Sequence, residues 1–134
     1  MKAERNKTID LPIEEGQKNL ERSIKIKKKP EAESLIDKTI CGDTFAVLEK
    51  MPEKFVDLLI VDPPYNLDKN FHGNKFKKTT DEIYEEYTEK WVEAVKPLLK
   101  DDASIYVCCD WLSGSAISRV LSKHFILQNR IFTH

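Results

Sequence analysis

Six residues, Val56-Asp57-Leu58-Leu59-Ile60-Val61, form a nearly unbroken apolar run that stops abruptly at Asp62-Pro63-Pro64-Tyr65. A run of this length and character suits an inner strand of a parallel sheet, covered on both faces. The turn after it has little backbone freedom. Pro63 pushes Asp62 out of the helical region into an extended conformation. Two successive prolines hold φ and contribute no N–H donors, so the turn presents carbonyls only as acceptors.

The rest of the chain is arranged around that strand. Residues 1–34 are a polar lead, with Lys25-Ile26-Lys27-Lys28-Lys29-Pro30 clustering positive charge before Glu31 and Glu33. This lead reads as a solvated, partly disordered arm, or as an arm contacting phosphates. Order is expected from residue 35 to residue 134. Thr39 to Asp43 resembles a short strand with a turn, and Thr44 to Lys50 a short helix with Phe45, Val47 and Leu48 on its apolar face. Residues 67–78, with Gly73 and several lysines, read as a mobile loop. Thr79-Thr80-Asp81-Glu82 has a capping-box pattern. Tyr84, Tyr87, Trp91, Val95 and Leu98 then recur at helical spacing, and Pro97 should disturb the last turns. Ala103 to Cys109 is a second buried-strand candidate. Ser113 to Lys123 reads as a helix with Ile117, Val120 and Leu121 inward, and Phe125 to Phe132 as a last strand. Strand and helix alternate, which argues for an α/β fold with a mostly parallel sheet and helices on both faces.

Ligands of open α/β sheets gather at the carboxyl ends of the strands, where the Asp-Pro-Pro-Tyr turn falls. Asp62 and the Pro63 carbonyl make a rigid acceptor pair suited to an amino group with two hydrogens to donate. Tyr65 adds a flat face on which a planar base can stack. A rigid turn without chemistry is the plainer alternative, as helix packing is for Tyr84, Tyr87 and Trp91. Asp43 fits a helix cap as well as a ligand contact. The scattered His72, His124 and His134 read as surface residues.

The turn resembles the catalytic loop of the DNA amino-methyltransferases, which methylate adenine N6 or cytosine N4 and carry Asp/Asn/Ser-Pro-Pro-Tyr/Phe there. Asn66-Leu67 after the loop and Cys41-Gly42-Asp43 upstream are similar to the family's pattern, and the likeness runs from about Ile40 to His134. The resemblance implies a partial Rossmann-like methyltransferase fold, S-adenosylmethionine as cofactor and double-stranded DNA as partner. It implies catalytic roles for Asp62, Pro63, Pro64 and Tyr65, with Tyr65 and Asn66 meeting a flipped base. Asp43 and Asp62 fall on the cofactor side. Asp at the first loop position favours adenine over cytosine, and over the protein or RNA methyltransferases with related loops.

The family also needs a Phe-x-Gly-x-Gly-like loop for the methionine part of the cofactor. The four glycines, Gly16, Gly42, Gly73 and Gly114, are all isolated. The expectation is therefore a permuted, N-terminal piece that works with a complementary C-terminal fragment or self-associates, and that is inactive alone. An inactive remnant and a nucleic-acid-binding module are the alternatives.

Composition limits the other classes. A formal net charge of −1 gives no bulk support for nucleic-acid binding. The three cysteines, Cys41, Cys108 and Cys109, make neither a disulfide framework nor a metal-ligand spacing. With no membrane-length apolar run, the chain reads as a soluble protein of a reducing cytoplasm.

Overall fold

The computed structural model describes residues 12–71 and 74–131. The chain divides into two compact units, Met1–Lys50 and Met51–His134. In the first, the polar lead contains a helix, α1 (Ile13–Arg22), with Glu14 and Glu15 in its first turn and Arg22 in its last. Those charges complement the helix dipole. Thr39 to Asp43 does not form the expected strand: Ile40 makes only an isolated parallel bridge to Ile24. Helix α2 (Thr44–Leu48) comes next.

The second unit begins with the constraining run, which forms β1 (Val56–Val61). It pairs in parallel with β4 (Leu99–Val107), matching Leu58 with Ser104, Leu59 with Ile105, Ile60 with Tyr106 and Val61 with Val107. Between them lie β2 (Lys69–Phe71) and β3 (Asn74–Phe76), an antiparallel pair, where a loop was expected. Gly73 and His72 lie outside the described residues. The pairing of Lys69 with Phe76 and Asn70 with Lys75 gives this polar stretch backbone partners that no periodicity announces.

Helix α3 (Asp81–Val95) returns the chain for the parallel pairing. Its cap is Thr80, whose hydroxyl accepts from the Ile83 N–H, rather than Thr79 as the capping-box spacing implied. Pro97 sits in a single 3-10 turn, Lys96–Leu98, so the α-helix ends before it. Helix α4 (Gly114–His124) packs on α3, with Tyr84, Ala116 and Ile117 buried together and Val107 of β4 against them. Arg119 binds Glu85 at 2.6 Å and Asp81 at 3.1 Å, and His124 pairs with Glu89, so charges lace the two helices along their outer side.

The expected α/β class with parallel pairing is met. Cover on both sheet faces is met on one only. Alternate residues point to opposite faces of a strand, so Leu59, Val61, Ile105 and Val107 share the half-buried face with the helices. Leu58, Ile60 and Tyr106 share the other, where they are 53%, 67% and 55% exposed. The expected last strand is also not formed among the described residues. Residues 126–131 are irregular, and Ile126, Leu127 and Ile131 are exposed. Apolar, β-branched residues become a strand only when a neighbouring edge accepts their hydrogen bonds, and none does so among the described residues. Phe132 and His134 lie outside them. Among the described residues no helix is long and apolar enough to cross a membrane.

Candidate active site

The Asp62–Tyr65 turn leaves the carboxyl end of β1, and Cys108 leaves the adjacent end of β4. The Cys108 N–H donates to the Val61 carbonyl at 2.9 Å, carrying the ladder one step past both strands. The two chain segments therefore part at a common rim, as ligand sites of parallel sheets do.

Four hydrogen bonds set the turn against its surroundings. The Tyr65 hydroxyl donates to Asp62 Oδ1 at 2.8 Å. The Tyr84 hydroxyl, from the buried side of α3, donates to the Pro64 carbonyl at 2.9 Å. The Asn66 N–H donates to Ser113 Oγ at 3.0 Å. The Leu67 N–H donates to the Tyr65 carbonyl at 2.7 Å. Asp62 itself is exposed while Pro63 is buried. The turn thus presents its carboxylate outward from a backbone held on its inner side.

The electrostatics follow from these contacts. The hydrogen bond to Asp62, with burial adding to it, pushes the Tyr65 phenol up to about 12, because the carboxylate stabilises the neutral donor. Burial chiefly pushes Tyr84 up to about 12. Burial draws the Asp110 carboxyl upward, but hydrogen bonds from the Ser113 side chain and backbone outweigh it and hold Asp110 below its ordinary range. Burial likewise raises the Cys109 thiol, which is no activated nucleophile at neutral pH.

Asn66 has a part that sequence reading did not assign to it. It is 7% exposed, and its side chain is fully engaged. Oδ1 accepts from the Thr79 N–H at 2.7 Å and the Thr79 hydroxyl at 3.1 Å, while Nδ2 donates to the Thr79 carbonyl at 3.0 Å. Asp68 adds a second tie, accepting from the Lys78 N–H at 2.9 Å. The β2–β3 excursion is thereby clasped at its base, directly beside Tyr65. Asn66→Ala should lower the unfolding free energy by about 2 kcal/mol, since Thr79 loses partners on both its N–H and its carbonyl. Urea denaturation, with hydrogen exchange at the Thr79 amide, checks this; an unchanged amide would show that the clasp does not hold the excursion.

Ser113, Asp110 and Tyr84 were also missed as site residues. Ser113-Gly114 before a helical pattern is a cap signal. Yet the Ser113 hydroxyl accepts from Asn66, a residue 47 positions away, which no local pattern encodes. Asp43 belongs to the first unit, where its carboxylate accepts from the Ala46 N–H at 3.0 Å and caps α2. The helix-cap reading of Asp43 is therefore met.

Comparison with known proteins agrees with this geometry. A family model described as DNA methylase, of the N6/N4 type, matches residues 56–134, from the first residue of β1 onward. Type II methyltransferase M.HpaI of Haemophilus parainfluenzae is 31% identical over 84 residues, 63% of this chain and 26% of the relative. DNA adenine methyltransferase YhdJ of Escherichia coli strain K12 is 30% identical over 92 residues, 69% of this chain and 31% of the relative. Type II methyltransferase M.BamHI of Bacillus amyloliquefaciens is 28% identical over 79 residues, 59% of this chain and 19% of the relative. The chain spans less than a third of each of these relatives. With its parallel β1–β4 pair, its Asp-Pro-Pro-Tyr turn at their shared rim and a family match over most of its length, the chain belongs to the N6/N4 DNA methylase family.

Proposed function

We propose that residues 35–134 supply the catalytic loop for methyl transfer from S-adenosylmethionine to the exocyclic amine of a flipped adenine in duplex DNA, in a soluble cytoplasmic enzyme. The carrying observation is the backbone of the Asp62–Tyr65 turn, held from behind by Tyr84 at the Pro64 carbonyl and by Ser113 at the following Asn66 N–H, while Asp62 faces outward. An aromatic amine is a poor nucleophile because its lone pair is delocalised into the ring. Asp62 and the Pro63 carbonyl accept its two hydrogens and favour a tetrahedral nitrogen, which directs the lone pair out of the ring plane. Tyr65 stacks on the base, and Pro64 keeps the two acceptors in fixed relation. Tyr65 donates to Asp62 in the free chain, so base entry exchanges that phenol for the amine as the carboxylate's donor. Most of the rate comes from orientation and preorganised electrostatics, without a covalent enzyme intermediate.

The residues described do not fit the cofactor by themselves. No two glycines lie close enough in sequence to form a loop whose backbone could approach it, so a further part of the enzyme must hold it. Asp43 is a further acceptor for the cofactor in this reading, since a carboxylate that caps α2 retains acceptor capacity. Calorimetric titration of the folded 134-residue chain with S-adenosylmethionine should show no saturable binding; clear binding would refute the requirement for a separate cofactor-holding part. The functional test joins the chain to the cofactor-holding remainder of a longer relative and follows labelled methyl transfer to duplex DNA. N6-methyladenine is the expected product. N4-methylcytosine would move the specificity, and a folded, cofactor-binding chimera without transfer would overturn the proposal.

A further inference from the structure

The basic stretch of the first unit has no part in the site described so far. Residues 24–30 hold four lysines and no acid, in a chain whose formal net charge is −1. They precede the part that the family model matches, residues 56–134. A charge run on a loose arm is ordinarily a solvated surface. This one has its backbone fixed at both ends. The Ile24 N–H donates to the Thr39 carbonyl at 2.8 Å, and the Ile24 carbonyl accepts from the Cys41 N–H at 3.1 Å. At the far end the Glu31 carbonyl accepts from the Ser34 N–H at 3.1 Å and from the Ser34 hydroxyl at 2.6 Å, beside the 3-10 turn Ala32–Leu35. Pro30 restricts the backbone between them.

The side chains are sorted along the stretch. Ile24 and Ile26 are half-buried while Lys25 and Lys27 are exposed, the alternation of an extended segment. Lys28 is exposed after them. Lys25, Lys27, Lys28, Glu31 and Ser34 line one open concavity of about 490 Å³. Among the described residues no partner occupies the ammonium groups of Lys25, Lys27 and Lys28, whereas Lys29 is engaged. Like charges gathered on a fixed backbone repel one another, and a polyanion relieves that repulsion while releasing its own counterions.

The chemistry of the surroundings selects among polyanions. A lipid surface needs apolar side chains directed at it, and those of this stretch are turned inward. The exposed apolar residues of α1, Ile13 and Leu20, share their helix with Glu14, Glu15 and Glu21 against Lys18 and Arg22, which is not the basic polar face that anionic lipid attracts. We infer that Lys25, Lys27 and Lys28 form a phosphate-binding cradle that holds duplex DNA by its backbone, whatever the base sequence. This rests on the reading of the chain as a DNA enzyme, but places the contact outside residues 35–134, which carry the chemistry in that reading.

The test uses the 134-residue chain with a dye-labelled duplex, a second duplex of the same composition in scrambled order, and vesicles rich in anionic lipid, over a range of salt. Both duplexes should bind alike, with log affinity falling linearly as log salt rises. Lys25→Gln/Lys27→Gln/Lys28→Gln should reduce that slope by about two to three, since each phosphate contact contributes about 0.9. A control variant, Lys54→Gln/Lys96→Gln/Lys100→Gln, removes the same charge near the start of β1 and β4, where Asp101 and Asp57 already pair with Lys54 and Lys100. It should reduce the slope by less than about one. Circular dichroism checks that both variants fold; should the first not fold, Lys27→Gln alone should still lower the slope by about one. An equal loss in the two triple variants would make the effect one of net charge and overturn the cradle. So would unchanged affinity and slope in the first variant, absence of duplex binding by the parent chain, or tighter binding to the vesicles than to either duplex. The chimera's methyl transfer decides the functional reading separately, so either can fail without the other.

Discussion

Asp62→Ala, in a chimera that carries the cofactor-holding part, should lower kcat for methyl transfer by about 10²- to 10³-fold with little change in KM. The size follows from removing one preorganised group aimed at charge that develops only in the transition state. The fold should hardly notice. Asp62 is exposed, and its hydrogen bond from Tyr65 is a surface contact, so the stability change should stay within about 1 kcal/mol. The Tyr65 phenol, relieved of its carboxylate, should titrate lower than about 12, which gives a spectroscopic sign that the intended contact was removed. Asp62→Asn keeps an acceptor oxygen but sets an amide NH2 beside the substrate amine, and should fall between the two. Single-turnover kinetics make the measurement. A rate in Asp62→Ala close to that of the parent chimera would remove Asp62 from the mechanism.

Trp91→Ala should destabilise the Met51–His134 unit by about 3–5 kcal/mol, the range for emptying a buried aromatic site. Trp91 shares the inner side of α3 with Thr88, Val92 and Val95, all buried. Its Nε1 has no hydrogen-bond partner among the described residues. A buried donor without a partner already costs free energy, so Trp91→Phe should lose far less than the ring's size implies, about 1 kcal/mol. The contrast separates the ring's packing from its polar atom. Urea denaturation followed by circular dichroism provides both values, and equal losses for the two variants would contradict it.

Where a single element carried its own period, the sequence was readable. The run at Val56–Val61 became β1 at those bounds, and the spacing of Tyr84, Trp91 and Val95 became the inner side of α3. The turn at Asp62 was legible because proline restricts its neighbours whatever the tertiary setting. Partnership between distant residues was not legible. Asn66 reads from the sequence only as a base-meeting residue of the family's loop, and its ties to Thr79 and Ser113 are not announced by any local pattern. The same clasp takes Thr79 and leaves Thr80 to cap α3, a shift of one position that local pattern could not anticipate. Phe125 to Phe132 had strand-like composition, but a strand also needs an edge to join, and composition does not report edges.

The parallel pairing of β1 with β4 also sets an order of events in time. The Asp62–Tyr65 turn is synthesised early, yet the serine that fixes its exit lies 47 residues beyond Asn66. The antiparallel β2–β3 pair and α3 are local and can form within microseconds of emerging. The β1–β4 ladder must wait for Tyr106 and Val107 to arrive, and long-range parallel pairing is slow. During synthesis at about 5–20 residues per second, the Asp62–Tyr65 turn is therefore among the first segments of its unit made and the last to acquire its shape. Variants at Ser113 or Tyr106 should consequently slow refolding more than their small effect on local helix or strand formation would suggest.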